Sequence, residues 1–120
     1  MARSNVLLIL VVREAGLRTT LAGRLSMTEA DLVTARDVHD PSLARHLSRS
    51  GVLILCEETV KSRPKEWLDA IVAEPGLRQV VVLGTPSATA APHERLAYVE
   101  PSVAPAAIAE MIPRWQAGNG

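Results

Sequence analysis

Short runs of aliphatic residues recur along the chain, each flanked by residues that favour turns. Their length and their content of branched residues favour strands over helices. Strands that are covered on both faces show continuous aliphatic runs, because neither face meets water. We therefore predict five buried strands: Val6–Val12, Asp31–Ala35, Val52–Cys56, Val80–Leu83 and Leu96–Val99.

Between these runs the apolar residues recur every three or four positions, which is the period of an amphipathic helix. Asp and Pro are favoured at the N-cap and the first helical position, and two further prolines open apolar stripes. We predict four helices, which carry Leu17, Leu21 and Leu25; Asp40-Pro41, Leu43 and Leu47; Pro64, Trp67, Leu68, Ile71 and Val72; and Pro105, Ile108, Met111, Ile112 and Trp115.

Strands and helices alternate along the chain, and this order predicts crossover connections, a parallel sheet and helices on both of its faces. Residues Gly84–Arg95 break the alternation, because they hold two prolines and no apolar stripe. We therefore predict a single domain over residues 1–120, with a shortened or missing helix between the fourth and fifth strands.

Composition narrows the classes of protein to which the chain can belong. Of the 120 residues, 48% are hydrophobic, 13 are basic and 13 are acidic, and Cys56 is the single cysteine. The hydrophobic content and the equal numbers of acids and bases exclude disorder, and the single cysteine excludes a disulfide framework and a cysteine-based zinc site. The basic residues form no patch of the kind that binds nucleic acid. The longest strand run, Val6–Val12, is far shorter than the ~20 residues of a membrane span. We expect a cytoplasmic protein that binds neither nucleic acid nor membrane.

The carboxyl ends of the predicted strands are the places to look for a site, because open α/β sheets bind ligands there. The residues that follow these strands are Val12-Arg13-Glu14, Cys56-Glu57-Glu58, Gly84-Thr85 and Glu100-Pro101.

Three stretches resemble the receiver domain of response regulators, the phosphoacceptor module of two-component signalling. The first strand leads into Glu14, Leu17 and Arg18; Trp67 to Ile71 precede Pro75-Gly76-Leu77-Arg78; and Tyr98-Val99-Glu100-Pro101 precede Pro105 and Ile108. The resemblance covers Asn5 to about Trp115. It implies a flavodoxin-like, CheY-like, doubly wound parallel sheet of five strands in the order 2-1-3-4-5.

The chemistry of that family depends on a few positions at the strand ends. Two acids after strand one hold a divalent cation, an Asp ending strand three accepts the phosphoryl group, and a hydroxyl and a Lys-Pro pair contact it. By the resemblance, these positions are held here by Val12 and Arg13, Cys56, Gly84 or Thr85, and Glu100-Pro101, while Glu14 matches a third, weaker acidic position.

These replacements remove the metal-dependent chemistry. Mg²⁺ needs oxygen ligands, and Arg13 brings a cation to the place where one would bind. We therefore expect a pseudo-receiver that is not an enzyme and uses no metal or cofactor. A slip of one residue in strand three would instead place Glu57 at the acceptor position and mimic a permanent charge. We also expect Arg13 to pair with Glu57, Glu58 or Glu100.

A chain of this length with no output domain should act by contact, so we predict a stand-alone receiver-like module in two-component or phosphorelay signalling. Its partner would be another protein or a second copy bound through the strand-five and final-helix face. Two alternatives stay open, a phosphorylatable regulator with unconventional residues and a small-ligand or redox protein that uses Cys56. The expected contact residues are Tyr98, Ile108, Met111 and Trp115.

Overall fold

The computed structural model describes residues 7–28, 30–35, 51–63, 65–74, 77–84 and 95–117. Five strands of these ranges form one parallel sheet in the order β2-β1-β3-β4-β5. The predicted strands and their order are therefore confirmed. The strands are β1 (Leu7–Val11), β2 (Asp31–Thr34), β3 (Gly51–Cys56), β4 (Leu77–Leu83) and β5 (Leu96–Val99).

Four helices accompany the sheet in the described ranges. They are α1 (Ala15–Leu25), α2 (Glu57–Lys61), α3 (Lys65–Val72) and α4 (Ala104–Ala117), and the short 3₁₀ turn Pro101–Val103 leads into α4. The helix predicted after Asp40-Pro41 and the predicted loss of a fourth helix fall on residues 36–50 and 85–94, which lie outside the described residues.

The two faces of the sheet pack into two separate hydrophobic layers, as the alternation of side chains along each strand requires. One layer joins alternate residues of the central strands to α1 and α4, including Leu8, Leu10, Leu21 and Ile108. The other layer holds the intervening residues with α3, including Ile9 and Val72. The central strands are therefore covered on both sides, which explains why their sequences are uninterrupted aliphatic runs.

Strand β4 begins three residues earlier than the sequence predicts, at Leu77 rather than Val80. The polar residues Arg78 and Gln79 interrupt the aliphatic pattern, yet both have partners at the end of α4. The Gln79 Oε1 atom accepts a hydrogen bond from Trp115 Nε1 at 3.1 Å, and Arg78 Nη1 donates to the Trp115 carbonyl. A tertiary contact thus supports strand positions that a hydropathy pattern misses.

The sequence pattern does not predict helix α2, which the structure contains. It begins at Glu57, directly after β3, and ends at Lys61. Its five residues are too few to show a periodic stripe, so the sequence pattern gave no signal for it. Among the described residues, no helix is long and apolar enough to cross a membrane.

Candidate functional site

The carboxyl ends of the parallel strands meet at one edge of the sheet, where they surround a cavity of about 390 Å³. Strand β3 ends at Cys56, which pairs with Leu83 at the end of β4. Helix α1, helix α2 and the turn after β5 close the sides of the cavity. Its lining residues are Glu14, Leu17, Cys56, Glu57, Glu58, Leu83, Gly84, Glu100 and Pro101.

Most of the predicted pocket residues therefore come together in this cavity. Glu14, Cys56, Glu57, Gly84, Glu100 and Pro101 all line it, whereas Thr85 lies outside the described residues. Leu17 and Leu83 were missed as lining residues, although their places in the sequence pointed to the cavity. Leu17 lies one helical turn beyond Glu14, and Leu83 is the last residue of β4.

Val12 and Arg13 follow β1 but do not line the cavity. The Val12 side chain is buried in the layer under α1 and α4, on the same face of the sheet as Leu8 and Leu10. The backbone N–H of Arg13 donates to Cys56 Sγ at 3.5 Å, while the Arg13 side chain is exposed. These two residues therefore do not join the others at the cavity: the Val12 side chain turns into the core and the Arg13 side chain faces solvent.

The ion pairs expected for Arg13 are also wrong. Within the described part of the chain, its guanidinium forms no salt bridge with Glu57, Glu58 or Glu100, and Glu57 pairs instead with Lys61, at 2.9 Å. Lys61 lies one helical turn after Glu57, and acid–base pairs at this spacing meet on a helix surface. A local partner thus replaces the one expected from a neighbouring strand.

Cys56 is a buried thiol, 7% exposed, at the junction of β3 and α2. Its Sγ atom lies 3.0 Å from Oγ1 of Thr59, which is itself buried. Because a buried hydroxyl without a hydrogen bond is costly, this contact satisfies Thr59 as well as ordering Cys56. Thr59 was not recognised from the sequence, and its position three residues after Cys56 becomes informative only once α2 is known.

Strand β3 contains Cys56 as its last residue, and Glu57 is the first residue of α2. The two candidates for the strand-end position thus play different parts. The Cys56 thiol is buried against Thr59, whereas the Glu57 carboxylate lies over Gly84 at the end of β4. Both reach the same cavity without competing for one position.

The cavity is rich in acids, but they do not form a metal centre. Glu14, Glu57, Glu58 and Glu100 all reach its wall. Across the described ranges, no three His, Cys, Asp or Glu side chains converge closely enough to hold a metal ion. Mg²⁺ requires near-octahedral oxygen ligands, and the positions after β1 carry a buried aliphatic side chain and a cation. The residues present therefore do not fit this ion.

The expected contact surface is divided between the interior and the surface. Ile108 is wholly buried and Trp115 is 8% exposed, so both are core residues of α4 and cannot carry a contact. Tyr98 and Met111 are half-buried, and they pack against opposite layers of the sheet. The amphipathic stripe of α4 was read correctly as a helix, but its buried side was assigned to the surface.

A solved structure described as a response regulator receiver domain protein from Bacillus halodurans is similar to this chain over nearly its whole length. The similarity covers 93% of this chain and 97% of that one, with a TM-score of 0.72 and 18% sequence identity. No protein-family model matches the chain, and no curated protein matches it. Together with the strand order, the structural similarity shows that the chain has the fold of a receiver domain.

Proposed function

We propose that this protein is a signalling module that keeps the receiver fold, acts by protein contact and has lost metal-dependent phosphorylation. The proposal rests on where the side chains of the two residues after β1 lie. Val12 is packed into the core, and Arg13 turns its cation to solvent while its backbone binds the Cys56 thiol. No carboxylate is available at either position.

Phosphoryl transfer makes strong demands that these residues do not meet. The charge on the transferring group is neutralised chiefly by a metal ion and by positioned cations. At the end of β3 the side chain is a buried thiol rather than a carboxylate, and Glu100 places a negative charge where the family has a lysine. These changes together oppose both the binding and the stabilisation of an incoming phosphoryl group.

Intact-mass analysis after incubation with acetyl phosphate and Mg²⁺ tests the loss of phosphorylation. We expect the mass to stay that of the unmodified chain, while a receiver domain with its acids intact gains a phosphoryl group under the same conditions. A stoichiometric adduct that is stable to acid and labile to base would contradict the proposal. It would favour a phosphorylatable regulator with unconventional residues.

The region around β5 and α4 is our proposed contact surface. Strand β5 is at the edge of the sheet, where it pairs with β4 alone. Tyr98 of this strand and Met111 of α4 are partly exposed apolar residues on either side of that edge. Aromatic residues and Met are enriched at protein interfaces, so these two side chains are the best candidates for contacts to a partner or a second copy.

Substitution of Met111 by Arg tests this surface. We expect Met111→Arg to weaken self-association in sedimentation, or capture of a protein partner, without changing the circular dichroism spectrum. The matched control is Met27→Arg, because Met27 is 84% exposed and follows α1. Equal association by both variants and the unsubstituted chain would argue against the β5–α4 surface.

Cys56 and the cavity favour a second candidate, a small-ligand or redox protein. The volume of about 390 Å³ falls in the range of small-molecule sites, and the thiol forms part of the wall. Under the contact proposal we expect the buried thiol to react slowly with a disulfide reagent in the native protein. Rapid, complete reaction before unfolding would favour the redox candidate.

A further inference from the structure

Gly84 directly follows β4 at the cavity, and its backbone conformation does not require a glycine. It is buried, and its N–H donates to the carbonyl of Val99 at 2.9 Å, so it continues the pairing of β4 with β5. No glycine in the described residues has a positive φ angle. An alanine could therefore adopt this backbone conformation, so any obstacle to a side chain here must come from a contact.

The excluding contact is the side chain of Glu57. A Cβ atom added to Gly84 would lie 2.9 Å from Glu57 Cδ and 3.1 Å from Glu57 Cβ, and the carboxylate would be closer still. The Cβ of Glu57, in the first residue of α2, would need to give by only a few tenths of an ångström, so the carboxyl group, whose Oε1 lies 2.9 Å from Lys61 Nζ, is the main obstacle. The side chain at 57 and the absence of a side chain at 84 thus fit each other.

Lys61 directs the carboxylate rather than supplying much stability. Its Nζ lies 2.9 Å from Glu57 Oε1, but the Lys61 side chain is 73% exposed. Exposed ion pairs contribute little to folding, because water competes for both charges. The contact between Glu57 and Gly84 is a close steric one, and it brings together the carboxyl ends of β3 and β4.

We propose that Glu57, Lys61 and Gly84 form an internal latch that holds the strand-end cavity in one arrangement without a bound ion or phosphate. The Glu57 latch would keep the signalling module in a single state. Its role in signalling rests on the proposed function. Glu57 comes from the start of α2 and Gly84 from the end of β4, so release of the contact would free these two segments together.

A double-mutant cycle between Gly84→Ala and Glu57→Ala tests the latch by urea unfolding. We expect Gly84→Ala alone to lower the midpoint, and to lower it less in the Glu57→Ala background, which removes the carboxyl group and leaves only the Cβ of residue 57, 3.1 Å from the new Cβ. The coupling should exceed about twofold in the unfolding equilibrium constant, the limit within which independent sites add. Additive effects would overturn the latch.

Two variants serve as controls for this cycle. Glu58→Ala removes the neighbouring acid of the same cavity, and it should not rescue Gly84→Ala. Gly16→Ala meets only the far end of an exposed acid, Glu14, whose Oε1 atom would lie 2.9 Å from the new Cβ. We expect this glycine to accept a methyl group, because the carboxylate of Glu14 can move into solvent.

Amide exchange at Gly84 gives a second readout that does not depend on the folding of Gly84→Ala. The N–H bound to Val99 should exchange faster in Glu57→Ala, and at the original rate in Glu58→Ala. An unchanged rate in Glu57→Ala would overturn the latch. None of these measurements uses a partner, so the latch can fail while the contact proposal stands, and the reverse also holds.

Discussion

At the scale of single residues, Cys56 shows how a side chain that stands at the family's acceptor position can become part of the protein interior. Its Sγ atom contacts the Thr59 hydroxyl at 3.0 Å and accepts the backbone N–H of Arg13 at 3.5 Å. Both partners come from segments that flank the cavity, one from α2 and one from the turn after β1. The thiol thus links these segments as a small buried group, a role typical of free cysteine.

Removal of the thiol should therefore leave the buried Thr59 hydroxyl without this hydrogen-bond partner. We expect Cys56→Ala to destabilise the protein by about 1–3 kcal/mol, because Thr59 loses its partner in a dry environment. Thr59→Val removes the hydroxyl at nearly constant volume and should recover part of this loss in the double variant. Urea unfolding of the four proteins measures the effect, and equal costs of Cys56→Ala with and without Thr59→Val would contradict the pairing.

At the scale of elements, the two helices beneath one face of the sheet are held in different ways. Helix α1 buries Leu21 and Leu25 but carries Gly23 on its exposed side. Helix α4 buries Ile108 and Ile112, and Trp115 near its end contacts β4. Helix α1 therefore includes a residue of poor helix propensity, whereas α4 is anchored by a large side chain and its hydrogen bond.

Gly23→Ala should stabilise the protein by about 0.5–1 kcal/mol, since alanine loses less backbone entropy than glycine in a helix. A Cβ at this position would meet nothing within 4 Å. The gain should appear as a higher urea midpoint with an unchanged slope. A loss of stability would mean that this side of α1 is covered in solution.

The anchoring of α4 can be separated into burial and hydrogen bonding. We expect Trp115→Ala to cost about 3–5 kcal/mol, as for other large buried aromatics. Trp115→Phe keeps most of the apolar contact and loses the bond to Gln79, which should cost much less, about 1 kcal/mol beyond the change in volume. Equal thermal denaturation of the two variants would show that burial of the indole does not anchor the helix.

At the scale of the whole molecule, hydropathy predicted the sheet well because the central strands are buried on both faces. The aliphatic runs identified all five strands, and the helical periods located α1, α3 and α4. Patterns were less informative where tertiary contacts decide the structure. The early part of β4 contains Gln79, whose side chain bonds Trp115, and the five-residue α2 leaves no periodic trace in the sequence.

The candidate site was predictable in its location but not in the directions of its side chains. Parallel strands bring their carboxyl ends together, and this rule located Glu14, Cys56, Gly84 and Glu100 at one cavity. The same rule cannot tell that the side chain after β1 turns into the core, nor that Glu57 finds Lys61 rather than Arg13. Burial of a stripe on α4 likewise looked the same in sequence as an exposed contact face.

Titration of the protein with Mg²⁺, followed by the backbone amide resonances of Val12, Arg13 and Cys56, tests whether the strand-end cavity has lost its divalent-ion site. These amides lie where the receiver fold would place a divalent ion, so bound metal must move their signals. We expect only the small, unsaturated drift that ionic strength produces, and the same drift with an inert monovalent salt of equal ionic strength. Saturable shifts at those three amides with a dissociation constant in the millimolar range or tighter would contradict it.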